Sequence, residues 1–171
     1  MDDFLVCFNW VMDSEDPLRR YKAVPDAPPG AFVISGINSA KFPEDFARIT
    51  ELPPAERPAA VEAFYRDKFW NQWLAELLSI DVKKRVMDAC FNQGPGTGVR
   101  LLQEAVNETQ KSLIETDGEW GPITLAAANA CGSGALVAAF CAAREELYRR
   151  IAAANPALEA DLPGWLARAR K

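Results

Sequence analysis

Glu15 is the residue of this chain best placed to do acid–base chemistry. Apolar positions Phe4, Leu5, Phe8, Val11 and Met12 recur at helical spacing and stop at Asp13. A first helix is therefore expected over residues 3–12, with Asp2 or Asp3 able to cap it. Glu15 then sits just past the helix end, against a long Pro-rich loop. A carboxyl there is partly desolvated and faces the negative end of the helix dipole, and both effects favour its protonated form. A carboxyl that keeps its proton near neutral pH is what a general acid requires. The same residue also reads as a solvated loop glutamate. The chain has no histidine, which removes Ser–His and Cys–His nucleophiles and nearly all common zinc sites. What remains is the chemistry of carboxylates and water, and no metal or organic cofactor is implied.

The elements that must position this group read as all-α. Residues 13–43 hold five prolines and two glycines and show no helical period, so they form a long loop. Val24, Phe32, Val33, Ile34 and Ile37 favour an ordered one, with a short extended piece at Val33 and Ile34. Pro43-Glu44-Asp45 starts a short helix ending near Ile49, and Pro53-Pro54 breaks the chain. Residues 56–69 form a helix with Val61, Phe64, Tyr65 and Phe69 on one face, followed by a piece over 71–78. Asp81 reads as the cap of a central helix running through Phe91. Further helices are expected from Thr97 to about Asn107, over 123–130, and from Ala135 to Ala154, with Gly132 and Gly134 as an interruption. Asp117-Gly118 reads as a turn holding two helices. Arg144, Glu145, Glu146, Arg149 and Arg150 read as a solvated helix face. A short last element carries Trp165.

One hundred and seventy-one residues suit one compact domain or two closely packed halves. A net charge of −5 with no basic stripe argues against nucleic acid as a partner. Cys7, Cys90, Cys131 and Cys141 form no Cys-x-x-Cys pair and fall mostly in apolar helical runs, so buried free thiols are expected. Met1-Asp2-Asp3 has acids where a secretory signal has bases, and no segment approaches a membrane span. Synthesis in the cytoplasm is expected, with action elsewhere only through another agent.

Several short motifs recur in a familiar order. Val11-Met12-Asp13-Ser14-Glu15 resembles the segment leading into the Glu-Gly-Gly-Tyr signature of the glycoside hydrolase family 108 muramidases. Gly30-Ala31 and Gly36-Ile37-Asn38 are similar to the steps that follow it. Phe64-Tyr65-Arg66 with Phe69-Trp70, and Asp88 with Asn92, Gln93 and Gly94, resemble later motifs of the family. Leu102-Gln103, Asp117-Gly118, Gly121-Pro122, Thr124 and Gly164-Trp165-Leu166 with Arg168 resemble its peptidoglycan-binding-like half. Asp16 and Pro17 stand where the family has two glycines. Its Asp-Pro-Gly-Gly step reads Asp26-Ala27-Pro28-Pro29-Gly30, and a family threonine falls on Phe32.

The resemblance implies a lysozyme-like helical fold, with a catalytic half over residues 1–95 and a peptidoglycan-binding-like half over 96–171. It implies hydrolysis of the peptidoglycan glycan strand as an N-acetylmuramidase, Glu15 being the acid and Asp26 a second carboxylate. Asp26 between prolines also reads as a turn residue. Ser35 is a candidate to replace the missing threonine hydroxyl, and Asn38 lies on a matching step. Tyr65 and Trp70 read either as platforms for sugar rings or as core. Asp88 and Asn92, one helical turn apart, belong by resemblance to the cleft floor, and Asn92 also reads as a helix cap. The alternative is a non-catalytic wall-binding or phage-structural protein that keeps this fold.

Overall fold

The computed structural model describes residues 2–27, 29–110 and 113–171; Pro28, part of the step noted above, lies outside them. The chain divides into two compact units, residues 1–71 and 72–171. The boundary expected between 95 and 96 falls inside the second.

In the first unit, α1 (Asp3–Glu15) is capped by Asp2, whose carboxylate accepts from Phe4 N at 3.0 Å. It buries Phe4, Cys7, Phe8, Val11 and Met12. The helix runs beyond Met12, so Glu15 is its last residue and not one past its end. The polar Asp13-Ser14-Glu15 turn carries no apolar signal, which is why its helicity is invisible in the pattern. The loop that follows contains a small antiparallel sheet of β1 (Val24–Asp26), β2 (Ala31–Ile34) and β3 (Ile37–Asn38), in that order. Val24 faces Val33, Asp26 faces Ala31, and Val33 faces Asn38. The expected extended piece at Val33-Ile34 is thus the middle strand.

The β2–β3 turn consists of Ser35 and Gly36, both at positive φ (46° and 82°), as a two-residue hairpin demands. Glycine adopts this conformation freely; serine does not. Helices α2 (Pro43–Glu51) and α3 (Arg57–Phe69) complete the unit. Phe8, Phe64, Tyr65 and Phe69 pack edge-on or tilted at 5.5–5.9 Å.

The second unit begins with α4 (Gln72–Glu76) and α5 (Ile80–Gln93). Ser79, not Asp81, caps α5, its hydroxyl accepting from Val82 N. Gly94 ends α5 at φ 97° and α6 (Pro95–Gln110) begins at once. Then come α7 (Pro122–Ala130), α8 (Ser133–Ala154), a 3₁₀ turn over 156–161, and α9 (Leu162–Arg170). Gly134 lies inside α8, so it does not interrupt the helix as expected. Helices α5, α6 and α8 form the core, with Val86, Met87, Leu102, Val106, Leu136 and Phe140 shielded from solvent. Cys7 and Cys90 are buried, Cys131 and Cys141 are half-buried rather than buried as expected, and none of the four forms a disulfide. Among the described residues no single helix is long and apolar enough to cross a membrane. Nor do they form a group of three or more carboxylates and thiols able to hold a metal ion.

Candidate functional site

Asp16 organises the segment after α1. Its backbone N–H closes the helix on Met12 O at 2.9 Å. Its carboxylate accepts from Arg20 N (2.9 Å), Tyr21 N (2.8 Å) and the Ser35 hydroxyl (2.8 Å). Partial burial alone would raise the Asp16 pKa, but the two backbone donors and the Ser35 hydroxyl outweigh it and hold the carboxyl below the usual range. Ser35 is locked from its other side as well, its carbonyl accepting from the Tyr65 hydroxyl at 2.9 Å. These two contacts explain how a serine tolerates positive φ there.

Asp26 and Asn38 meet across the sheet. Asn38 Nδ2 donates to Asp26 Oδ2 at 2.7 Å and to Ala27 O at 3.0 Å, while its Oδ1 accepts from Ala40 N and Lys41 N. The strands therefore bring two of the expected site residues into contact, with Asp26 exposed. Glu15 is half-buried at the end of α1. Phe32 is 45% exposed and offers no hydroxyl. Tyr65 is fully buried among Phe8, Phe64 and Phe69, so its ring is core and cannot be a platform. Trp70 packs edge-on against Phe4 at 5.6 Å. Sequence reasoning gave Asp16 no role beyond a departure from a motif; its signal was an Asx residue directly after a helix.

In the second unit, Asp88 is inaccessible and forms no cleft floor. Arg168 Nε donates to its Oδ2 at 3.0 Å, Arg168 Nη2 lies on its Oδ1, and Arg144 Nη2 lies 2.7 Å from Oδ2. Arg144 is 1% exposed, which overturns its placement on a solvated face: an Arg and Glu run at helical spacing does not reveal which member turns inward. Burial pushes the Asp88 carboxyl up, but the Arg168 and Arg144 guanidiniums more than offset this and hold it below the usual range. Burial pushes the neighbouring Cys90 thiol up to about 12.

A second polar hub fixes the α6–α7 connection. Gln103 Nε2 donates to Asp117 Oδ1 (2.7 Å), Glu119 O (3.1 Å) and Thr124 Oγ1 (3.2 Å), and its Oε1 accepts from Gly118 N (2.8 Å). Asp117-Gly118 is the turn its composition indicated, with Gly118 at φ 81° and no room for a Cβ, which would lie 2.7 Å from Gly96 O.

Among the cavities that open on this unit, two lie at junctions of its helices. The larger, about 480 Å³, lies where α4 meets α5 and α7 meets α8, between Leu77, Leu78, Val82 and Leu136. Several of its polar groups are already engaged: the Ser79 and Ser133 hydroxyls are 2.6 Å apart, and Asn129 bridges Leu78 N and Glu76 O. The smaller, about 350 Å³, is lined by Asn92, Gln93 and Thr97 together with Leu147, Tyr148, Ile151 and Trp165. Trp165 stacks on Tyr148 at 5.4 Å, and the Tyr148 hydroxyl donates to Asn92 Oδ1 at 3.0 Å. Asn92, exposed at the end of α5, thus borders a cavity.

Residues 97–170 match the family model described as "Predicted Peptidoglycan domain". Among solved structures, the chain is similar to that of SagA from Brucella abortus, at 20% identity and a TM-score of 0.64, over 97% of this chain and 92% of that one. At that identity the likeness is one of fold. No curated protein matches the chain in sequence.

Proposed function

We propose that this protein binds peptidoglycan through its second unit. The observation that carries the reading is the match of residues 97–170 to a peptidoglycan-domain model. Its net charge of −5 gives no attraction to anionic wall polymers, so recognition rests on aromatic and hydrogen-bonding contacts. Such binding resists salt, because no exposed charge pair carries it. Sedimentation with purified insoluble peptidoglycan tests it: the protein should enter the pellet at both low and high salt. Recovery in the supernatant under both conditions would show that the reading is wrong.

A second reading is N-acetylmuramidase activity in a lysozyme-like setting, and what favours it is the first unit. Glu15 closes α1, and the sheet that follows holds Asp26 on a fixed amide. Glu15 would protonate the leaving oxygen, and Asp26 would support attack from water or act as nucleophile. The Asp16–Ser35–Tyr65 chain of hydrogen bonds would keep the intervening segment in place. Glu15→Gln should then lower release of soluble muropeptides by about a hundred- to ten-thousand-fold, since the amide cannot donate the proton. Undiminished release would remove Glu15 from the mechanism. A wild-type protein that pellets with the wall and releases nothing would leave the binding reading alone.

A further inference from the structure

We infer that residues 17–23 form a strained latch, closed by the ionised Asp16 carboxylate and opened when that carboxylate is neutralised. The latch lies in the first unit, in the stretch that joins Glu15 to β1, and stands apart from wall binding by the second.

Backbone strain is concentrated around this one side chain. Among the described residues, three that are not glycine have positive φ: Arg19 (49°), Tyr21 (47°) and Ser35 (46°). A residue with a Cβ crowds its own backbone at such a φ. All three meet at Asp16. Its carboxylate accepts from the Tyr21 N–H at 2.8 Å, from the Arg20 N–H at 2.9 Å and from the Ser35 hydroxyl at 2.8 Å. Its carbonyl accepts from the Arg19 N–H and from Arg19 Nη1, both at 2.8 Å. Strain of this kind persists only while surrounding contacts hold it, and hydrogen bonds to a carboxylate weaken when its charge is removed. Arg19 also reaches back to α1, at Asp13 Oδ1 (2.7 Å) and Asn9 O (3.0 Å), but these contacts act on Arg19 and not on Tyr21. Neutralising Asp16 therefore lets Tyr21 return to negative φ, so opening relieves strain as well as losing bonds. Helices α1 and α3 bury their own apolar residues, so the opening is local.

The charges around the latch are Arg19 from the segment itself, Asp13 and Glu15 from α1, and Glu62 from α3, which acts on Tyr21. The β2–β3 turn brings Ser35, which has no charge. Burial raises the Asp16 carboxyl, and the backbone and hydroxyl donors with Arg19 outweigh it. The latch thus stays shut above the ordinary aspartate value of about 3.9 and releases as pH falls toward the lower folded value.

Two measurements on the full chain test this. Trypsin cuts after Arg20 and Lys22 only when the segment opens, so the cleavage rate reads the open population. Asp16→Asn should be cut about tenfold faster than wild type and Asp16→Ala faster still. Tyr21→Gly and Tyr21→Val both remove the ring and differ in what they tolerate at positive φ, so the valine variant should be cut about tenfold faster than the glycine variant. Amide exchange of the wild type, corrected for intrinsic rates, is compared at about pH 6 and about pH 3. The Arg20 and Tyr21 amides should lose protection in acid while those of α1 and α3 keep theirs. Unchanged cleavage in Asp16→Asn overturns the latch, and equal rates for the two Tyr21 variants overturn the role of strain. Loss of protection in α1 and α3 together with Arg20 and Tyr21 shows a unit that opens as a whole, and overturns it as well.

Discussion

Asp16 shows how much one side chain can fix. Its carboxylate gathers two backbone N–H groups and a hydroxyl from a turn nineteen residues away. Asp16→Ala leaves those donors without their acceptor and should cost about 2 kcal/mol in urea unfolding. Asp16→Asn, which keeps one acceptor oxygen, should cost less. A change of a few tenths for the alanine variant would mean that the segment is held by other contacts. Ser35 depends on the same contact, since its φ of 46° is tolerated only while its hydroxyl and carbonyl are both engaged. Glu15 directly precedes Asp16 in the chain, so the backbone that carries it is held by the residue that follows it.

At the scale of elements, α5 and α6 approach closely at Gly98. A Cβ on Gly98 would lie 2.6 Å from Cys90 Sγ and 2.8 Å from Cys90 N, and the second of these is backbone that cannot rotate away. Gly98→Ala should therefore destabilise by about 1–3 kcal/mol through overpacking. Gly134→Ala meets open space in the first turn of α8 and should be neutral or stabilise by up to about 1 kcal/mol through helix propensity. Thermal melts of the two variants should move in opposite directions; a parallel shift would mean that α5 and α6 are free to part. The helices were largely legible because buried apolar residues repeat at their spacing and prolines or glycines stand at their breaks. The sheet was legible only at Val33-Ile34: β1 is exposed throughout, so it has no buried alternation to read. The candidate site was legible at Asp26 and Asn38 as chemistry but not as a contact, since a crossing register is a tertiary fact. Asp88 was read with Asn92 as cleft floor, yet its partners lie 56 and 80 positions away on α8 and α9, and nothing in a charge run announces which arginine turns inward.

At the scale of the whole molecule, both units contain a carboxylate whose ionised form the fold favours. Asp16 and Asp88 are held below the usual range, so each contributes stability that is complete above the ordinary aspartate value, about 3.9. That contribution fades as pH falls toward the folded pKa. Stability to urea should thus decline as pH drops below about 4, and a flat profile between pH 5 and 3 would contradict both assignments. Asp88→Asn should remove much of the decline in the second unit. It should also cost about 3–5 kcal/mol near neutral pH by leaving two guanidiniums without their shared anion, read as loss of helical circular dichroism at lower urea. The thiols give the molecule a pair of clocks. Cys7 belongs to the first unit and Cys90 to the second, and both are buried, while Cys131 and Cys141 are partly accessible. In a maleimide reaction the accessible pair should be consumed first. The two slow sites then wait for their own surroundings to open, so their labelling rates, resolved by peptide mass, measure how often each unit breathes.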